Sequence, residues 1–333
     1  RAPERLFALL MQAAGRAGRD AQHAGASEMW VQTWHPQHPL FAALKTHDYP
    51  AFAAAQLAER LSAGMPPFGA QALLRAARDT GIRITLLPVL YMTGGFDGRP
   101  LSARQRRFGH GVDAYLRLLD TLRASESGTV RIGCALHSLR AVPSDAMHEV
   151  LTALPAASRI HIHIAEQQPE VDECVALRGA RPVQWLLDSV PVDARWTLVH
   201  ATHLDEEEVR DIAGSGATVA ICTTTEANLG DGLFPLRDFL DAGGRWGIGS
   251  DSNSSVDPVE ELRWLEYGQR LRAQRRNIAS SMRVPSVGAT LLDGVHASAA
   301  DSTGFATEDR IVLDADAPVL AGATDADVVD RWL

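Results

Sequence analysis

From about Gly69 to Asn277 short apolar runs alternate with longer amphipathic ones, and few folds accommodate that rhythm. The short runs are Ile82–Leu90, Val130–Leu136, Arg159–Ala165, Trp196–His200, Thr218–Cys222 and Trp246–Gly249. Most are rich in Val, Ile and Leu with little in–out alternation, as expected of strands buried on both faces of a parallel sheet. Between them the spacing predicts helices over Ala72–Asp79, Ala103–Arg123 (irregular at Gly109 and Gly111), Ser144–Leu154 capped by Ser144, Pro182–Val190, Asp205–Ala213, Pro235–Ala242 and Val259–Arg276. Strand–helix alternation of this kind implies an α/β fold with helices covering a parallel sheet. The count is about six units, where a complete (β/α) barrel needs about eight. The expectation is therefore a barrel incomplete at its N-terminal strands. Three regions follow: residues 1–68, divergent or truncated; residues 69–300, the barrel; and residues 301–333, a reduced C-terminal appendage. Val287–Ala297 reads as one further helix and Arg310–Asp314 as an edge strand in that appendage.

The strand ends carry the chemistry. His161-Ile162-His163-Ile164-Ala165-Glu166 has period two, so both histidines face one way and both isoleucines the other. Neighbouring runs end in His137-Ser138-Leu139-Arg140, in His200 and in Ser250-Asp251. In a parallel barrel these ends share the C-terminal rim, where catalytic side chains converge. Neutral imidazoles with a carboxylate suit a divalent, zinc-like ion that activates water for hydrolysis. In that reading His163 and Asp251 are metal ligands and Glu166 shuttles a proton. His200 orients water or stabilises charge, while His137 and Arg140 recognise substrate, Arg140 gripping a carboxylate. Singly, each has a plainer account: His200 as a packed core histidine, Asp251 as a helix cap. Their joint placement favours the site.

Composition excludes other classes. With 46% hydrophobic and 22% charged residues the chain reads as soluble, and no apolar run approaches a membrane span. The net charge of -9, without a basic stripe, argues against nucleic acid. Three cysteines, Cys134, Cys174 and Cys222, are far apart and suit a reducing cytoplasm. The expected partner is a small-molecule substrate. Trp264 on the last long helix would either pair subunits in a homodimer or pack on the barrel.

His163-Ile164-Ala165-Glu166-Gln167, Leu198-Val199-His200-Ala201-Thr202-His203 and Gly249-Ser250-Asp251-Ser252-Asn253 resemble the fifth, sixth and eighth barrel strands of the amidohydrolase superfamily, deaminase branch. Leu86–Tyr91, Gln105–Phe108, His137–Val142 and Val256–Tyr267 are similar, more narrowly, to the formimidoylglutamate deiminases. The resemblance implies an amidohydrolase-type barrel holding one divalent ion, zinc or alternatively iron or another metal. It implies hydrolysis of N-formimino-L-glutamate to N-formyl-L-glutamate and ammonia. It carries His163 and Asp251 over as metal ligands, Glu166, His200 and Asp251 as catalytic residues, and His137 with Arg140 as the substrate-binding pair. Alternatives are another deaminase of the superfamily, acting on an aminated ring, and a non-catalytic remnant. The resemblance departs at the first strand, where the family has an HxH pair that Arg1–Gly69 does not match. His23, His35, His38 and His47 are the candidates to replace it.

Overall fold

A computed structural model of the chain describes residues 39–46, 70–252, 255–306 and 310–333. His23, His35, His38 and His47 lie outside the described residues. The chain divides into two compact units, residues 1–80 and 81–333. The first contains two described helices, α1 (Pro39–Thr46) and α2 (Ala70–Thr80).

The second unit is built on parallel strands. The expected first strand is two, β1 (Ile84–Leu86) and β2 (Val89–Leu90), and the next is likewise β3 (Val130–Ile132) and β4 (Cys134–Ser138). The breaks coincide. Pro88 lacks the N–H a ladder needs, and at Gly133 a Cβ would stand 2.6 Å from Leu87 Cδ2 and 3.0 Å from the Arg159 carbonyl. β1 pairs with β3 as a separate ribbon, while β2 and β4 begin a six-stranded parallel sheet. It continues through β5 (Ile160–Ile164), β6 (Trp196–His200), β7 (Thr218–Ile221) and β8 (Arg245–Ile248), in the order β2-β4-β5-β6-β7-β8. Six strand positions thus match the unit count. Among the described residues no pairing joins β8 to β2, so the sheet does not close into a barrel.

Helices α3 (Val112–Arg123), α4 (Ser144–Ala153), α5 (Gln168–Arg178), α6 (Pro182–Ser189), α7 (Glu206–Ser215), α8 (Thr223–Leu229), α9 (Leu236–Asp241), α10 (Pro258–Ala273) and α11 (Val287–Thr303) alternate with or follow the strands. The long helix expected over Ala103–Arg123 begins only at Val112; before it lies a short 3-10 turn at Arg106–Phe108, and Gly111 caps α3. Ser144 is not the cap of α4: Pro143 holds that position with no side-chain bond, and Ser144 is already helical. Asp205 does cap α7, its carboxylate accepting from the Glu207 and Glu208 amides while Glu208 reaches back to complete a capping box. Ile160, Ile162 and Ile164 are buried on one face of β5, each contributing about 1.5–3 kcal/mol of apolar burial. The opposite face of the sheet, with His161 and His163, lines a cavity of about 450 Å³ whose far wall is α11. α11 is tied there by Ser302 and Thr303 carbonyls that accept from His161 Nε2 and Thr85 Oγ1.

The expected strand at Arg310–Asp314 does not form. Its β-branched pair is left exposed, Ile311 at 68% and Val312 at 90%. No described strand runs alongside, and an isolated strand has no ladder to stabilise it. The C-terminal segment ends instead in a short helix, α12 (Val328–Trp332). Trp264 is half exposed on α10.

Candidate active site

Parallel pairing in register brings the strand ends level. His163 of β5 stands beside Val199 of β6, and Ile164 beside His200. A bulge in the β4–β5 ladder seats Ser138 opposite His163 and turns His137 towards it. The result is a row of rings: Tyr91 edge-on to His137 at 4.3 Å, His137 to His163 at 5.1 Å, and His163 stacked on His200 at 5.6 Å. Carboxylates close the row, with Glu166 Oε1 3.8 Å and Asp251 Oδ2 3.9 Å from His200 Nε2. Arg140 completes it, its guanidinium 3.8 Å from Glu166 Oε2. All six residues singled out in the sequence therefore meet on one rim.

The backbone is strained at this rim. Ala165, His200, Ala201 and Asp251 have φ of 48°, 71°, 48° and 45°, a left-handed conformation outside glycine's usual territory. Such residues cost about 1–3 kcal/mol each and collect at functional sites. Here the kinks let the Ala201 amide donate to the Ile164 carbonyl and the His203 amide to the Ala165 carbonyl, locking the two strand exits together.

Electrostatics separates the histidines. Burial, with the neighbouring His163 and Arg140, pushes His137 down to about 3, so it is neutral at pH 7. A neutral imidazole can only hydrogen-bond, whereas the guanidinium of Arg140 beside it carries a permanent charge. Burial also lowers His163, whose Nδ1 donates to the His137 carbonyl at 2.7 Å. His200 behaves oppositely. Burial pulls it down, but the Glu226 hydrogen bond and the charges of Glu166, Glu226 and Asp251 outweigh that and raise it.

The donor set fits a metal ion in part. With Nδ1 of His163 held by a carbonyl, Nε2 is the nitrogen left to ligate, the orientation that ligating histidines show. The His200 Nε2 is buried without a hydrogen-bond partner, as a ring nitrogen facing a reaction space would be. Among the described residues a single group of three possible ligands, His200, Cys222 and Glu226, has its ligand atoms within 4.8 Å of one another, and neither His163 nor Asp251 belongs to it. It is a hydrogen-bonded group rather than a ligand set. Glu226 Oε1 already accepts from His200 Nδ1 at 3.2 Å and from the Cys222 amide at 2.8 Å, and burial drives the Cys222 thiol far from ionisation.

Three neighbours of the site were not anticipated by the sequence reading. Tyr91 lies against His137; Glu170 accepts from the Glu166 amide at 3.1 Å; Glu226 meets His200. The signal for Glu226 was its position, a lone carboxylate just beyond the end of β7, as Glu166 is beyond β5.

The amidohydrolase family matches residues 43–284. The formimidoylglutamate deiminase of Pseudomonas aeruginosa is 51% identical over 268 residues, 78% of this chain and 59% of that protein. A 5-methylthioadenosine/S-adenosylhomocysteine deaminase of Natronomonas pharaonis is 30% identical over 245 residues, 66% of this chain and 55% of that protein. Among solved structures, an amidohydrolase from Brucella melitensis superposes with a TM-score of 0.74 at 41% identity, over 79% of this chain and 60% of that one. An adenosine deaminase from Xanthomonas campestris with bound zinc shares the fold, with a TM-score of 0.65 at 21% identity over 80% of this chain and 60% of that one. The chain thus spans less than two thirds of the length of these relatives.

Proposed function

The chain belongs to the amidohydrolase family, and from that premise we propose that its strand-end rim deaminates a linear amidine hydrolytically, converting N-formimino-L-glutamate and water to N-formyl-L-glutamate and ammonia. One observation carries this reading: His163, Glu166, His200 and Asp251 converge within a few ångströms, and a permanent cation, Arg140, stands beside them, 3.8 Å from Glu166. An aminated ring offers Arg140 nothing to grip; a dicarboxylate does. The buried Arg140 Nε has no hydrogen-bond partner, so a bidentate carboxylate would satisfy a donor the fold leaves open. The similarity to the Pseudomonas aeruginosa deiminase supports the same substrate.

His163 Nε2 and the Asp251 carboxylate would hold the divalent ion, of which zinc suits the imidazole–carboxylate pair. When bound, that ion supplies Lewis acidity and makes water a nucleophile near neutral pH. Glu166 takes the proton from the attacking water and delivers it to the amidine nitrogen that leaves as ammonia. His200 Nε2, 3.8 Å and 3.9 Å from Glu166 and Asp251, orients the attacking water. His137, neutral and edge-on to Tyr91, hydrogen-bonds the substrate beside Arg140.

The test is ammonia release from N-formimino-L-glutamate by the zinc-loaded chain, with 5′-methylthioadenosine as the aminated-ring competitor. The expected result is turnover of the amidine alone, with Arg140→Met raising KM by about 10–100-fold, the loss of about 1.5–3 kcal/mol expected for a charged hydrogen bond. Turnover of the ring substrate, or an unchanged KM for the amidine in Arg140→Met, would refute the assignment.

A further inference from the structure

Glu226 lies on α8 and has no place in the sequence reading, yet it is the residue most intimately bound to His200. Its Oε1 is 3.2 Å from His200 Nδ1 and 2.8 Å from the Cys222 amide nitrogen, and both side chains are almost completely buried, at 1% and 2%. Oε1 already accepts the Cys222 N–H and faces the ring as an acceptor, so the ring nitrogen opposite it carries the proton. The other ring nitrogen, Nε2, is the one left without a partner and turned towards Glu166 and Asp251. We propose that Glu226 is a positioning residue: it pins the Nδ1 proton of His200 and thereby reserves Nε2 for the reaction. The inference rests on the reading of this rim as a deaminase site, but the tautomer it specifies does not depend on turnover.

The second contact makes the idea testable. The Cys222 amide points its N–H at Oε1, so whatever replaces that oxygen must also be an acceptor. In Glu226→Gln the amide oxygen is forced into that position, because an NH2 there would meet the Cys222 N–H donor to donor. Both hydrogen bonds then persist without the charge. In Glu226→Leu both are lost, and nothing selects Nδ1 over Nε2.

The experiment reads the tautomer directly, from long-range 1H–15N correlations of the full chain labelled with 15N-histidine, with the His200 signals assigned by their loss in His200→Asn. The wild type is expected to show His200 protonated at Nδ1, and Glu226→Gln to show the same pattern. Glu226→Leu should show protonated Nε2 or a mixture. Activity divides accordingly: Glu226→Gln keeps kcat within about threefold, while Glu226→Leu loses about 10–100-fold in kcat with KM little changed, the range for a partner that orients a working histidine. If Glu226→Leu does not fold, the wild-type and Glu226→Gln spectra still decide. A wild-type His200 protonated only on Nε2 overturns the proposal. So does a Glu226→Gln variant that keeps the Nδ1 proton yet loses as much kcat as Glu226→Leu, since charge rather than positioning would then be at work. Absence of turnover in every variant counts against the deaminase reading alone and leaves the tautomer result standing.

Discussion

Replacing Glu166 by Gln separates proton transfer from every other role this residue could have. The side chain is 14% exposed and makes no short hydrogen bond through its carboxylate: its contacts to Arg140 and His200 are both 3.8 Å. Gln has the same reach, so packing around the rim is preserved. The lost attraction to Arg140 is small, because that pair is long and Arg140 is 35% exposed. Such a pair is worth at most about 1 kcal/mol, or about fivefold in rate. General acid–base catalysis contributes about 10²–10⁴-fold, equivalent to about 3–5.5 kcal/mol. A fall in kcat of a hundredfold or more therefore lies outside what the lost ion pair can explain. The assay pairs steady-state ammonia release with metal content measured on the same protein. Glu166→Gln should keep its metal, because His163 and Asp251 are untouched. His163→Ala should lose metal and activity together, since it removes a ligand. If Glu166→Gln lost metal as completely as His163→Ala, Glu166 would be a ligand; if it kept its full rate, a bystander. Either result refutes the proposed role.

Two further outcomes test the frame around the site. Gly133→Ala places a methyl group 2.6 Å from Leu87 Cδ2 where the first two strand pairs break, an overpacking that costs about 1–3 kcal/mol; thermal unfolding should move down accordingly, and an unchanged Tm would show that this crossing is not close-packed. Burial lifts the Cys134 and Cys174 thiols to about 11 and raises Cys222 as well. At pH 8 only about one such thiol in a thousand is ionised, the fraction growing as pH climbs towards 11. A disulfide reagent should thus find no fast thiol in the native chain and three after denaturation; a rapidly reacting thiol in the native chain would mean that one of these pockets opens to solvent.

What could be read from the sequence, and what could not, follows from where each residue gets its instructions. Trp196–His200 is a strand to the residue because four apolar or β-branched positions end abruptly at a histidine, a purely local signal. The same holds for the ends of β5 and β8, so the residues of the rim could be named before any fold was in hand. α5 and α8 could not. In α5 the apolar face is only Val171, Cys174 and Val175, a single turn set among Gln168, Glu170, Asp172 and Glu173 with Leu177 off that face, too short a stripe to announce a helix. α8 opens with Thr223-Thr224-Thr225, a poor helix start on propensity, and is held by a distant residue: the Glu261 carboxylate accepts from both Thr223 and Thr224 hydroxyls and from the Thr224 amide. The failed strand at Arg310–Asp314 is the converse case, a local pattern with no neighbour to realise it. These misses bear on the site because Glu170 and Glu226 lie on the two unrecognised helices. The groups proposed to meet substrate sit at strand ends, where an apolar run that stops at a histidine or carboxylate announces them. Groups that orient those residues arrive from the helices behind, through packing that links positions as far apart as Glu226 and Thr225 of one helix to His200 and Ser250 of two different strand exits. Local pattern therefore names the side chains of the rim and is blind to those packed behind them, which is why the carboxylate hydrogen-bonded to His200 emerges only from the fold.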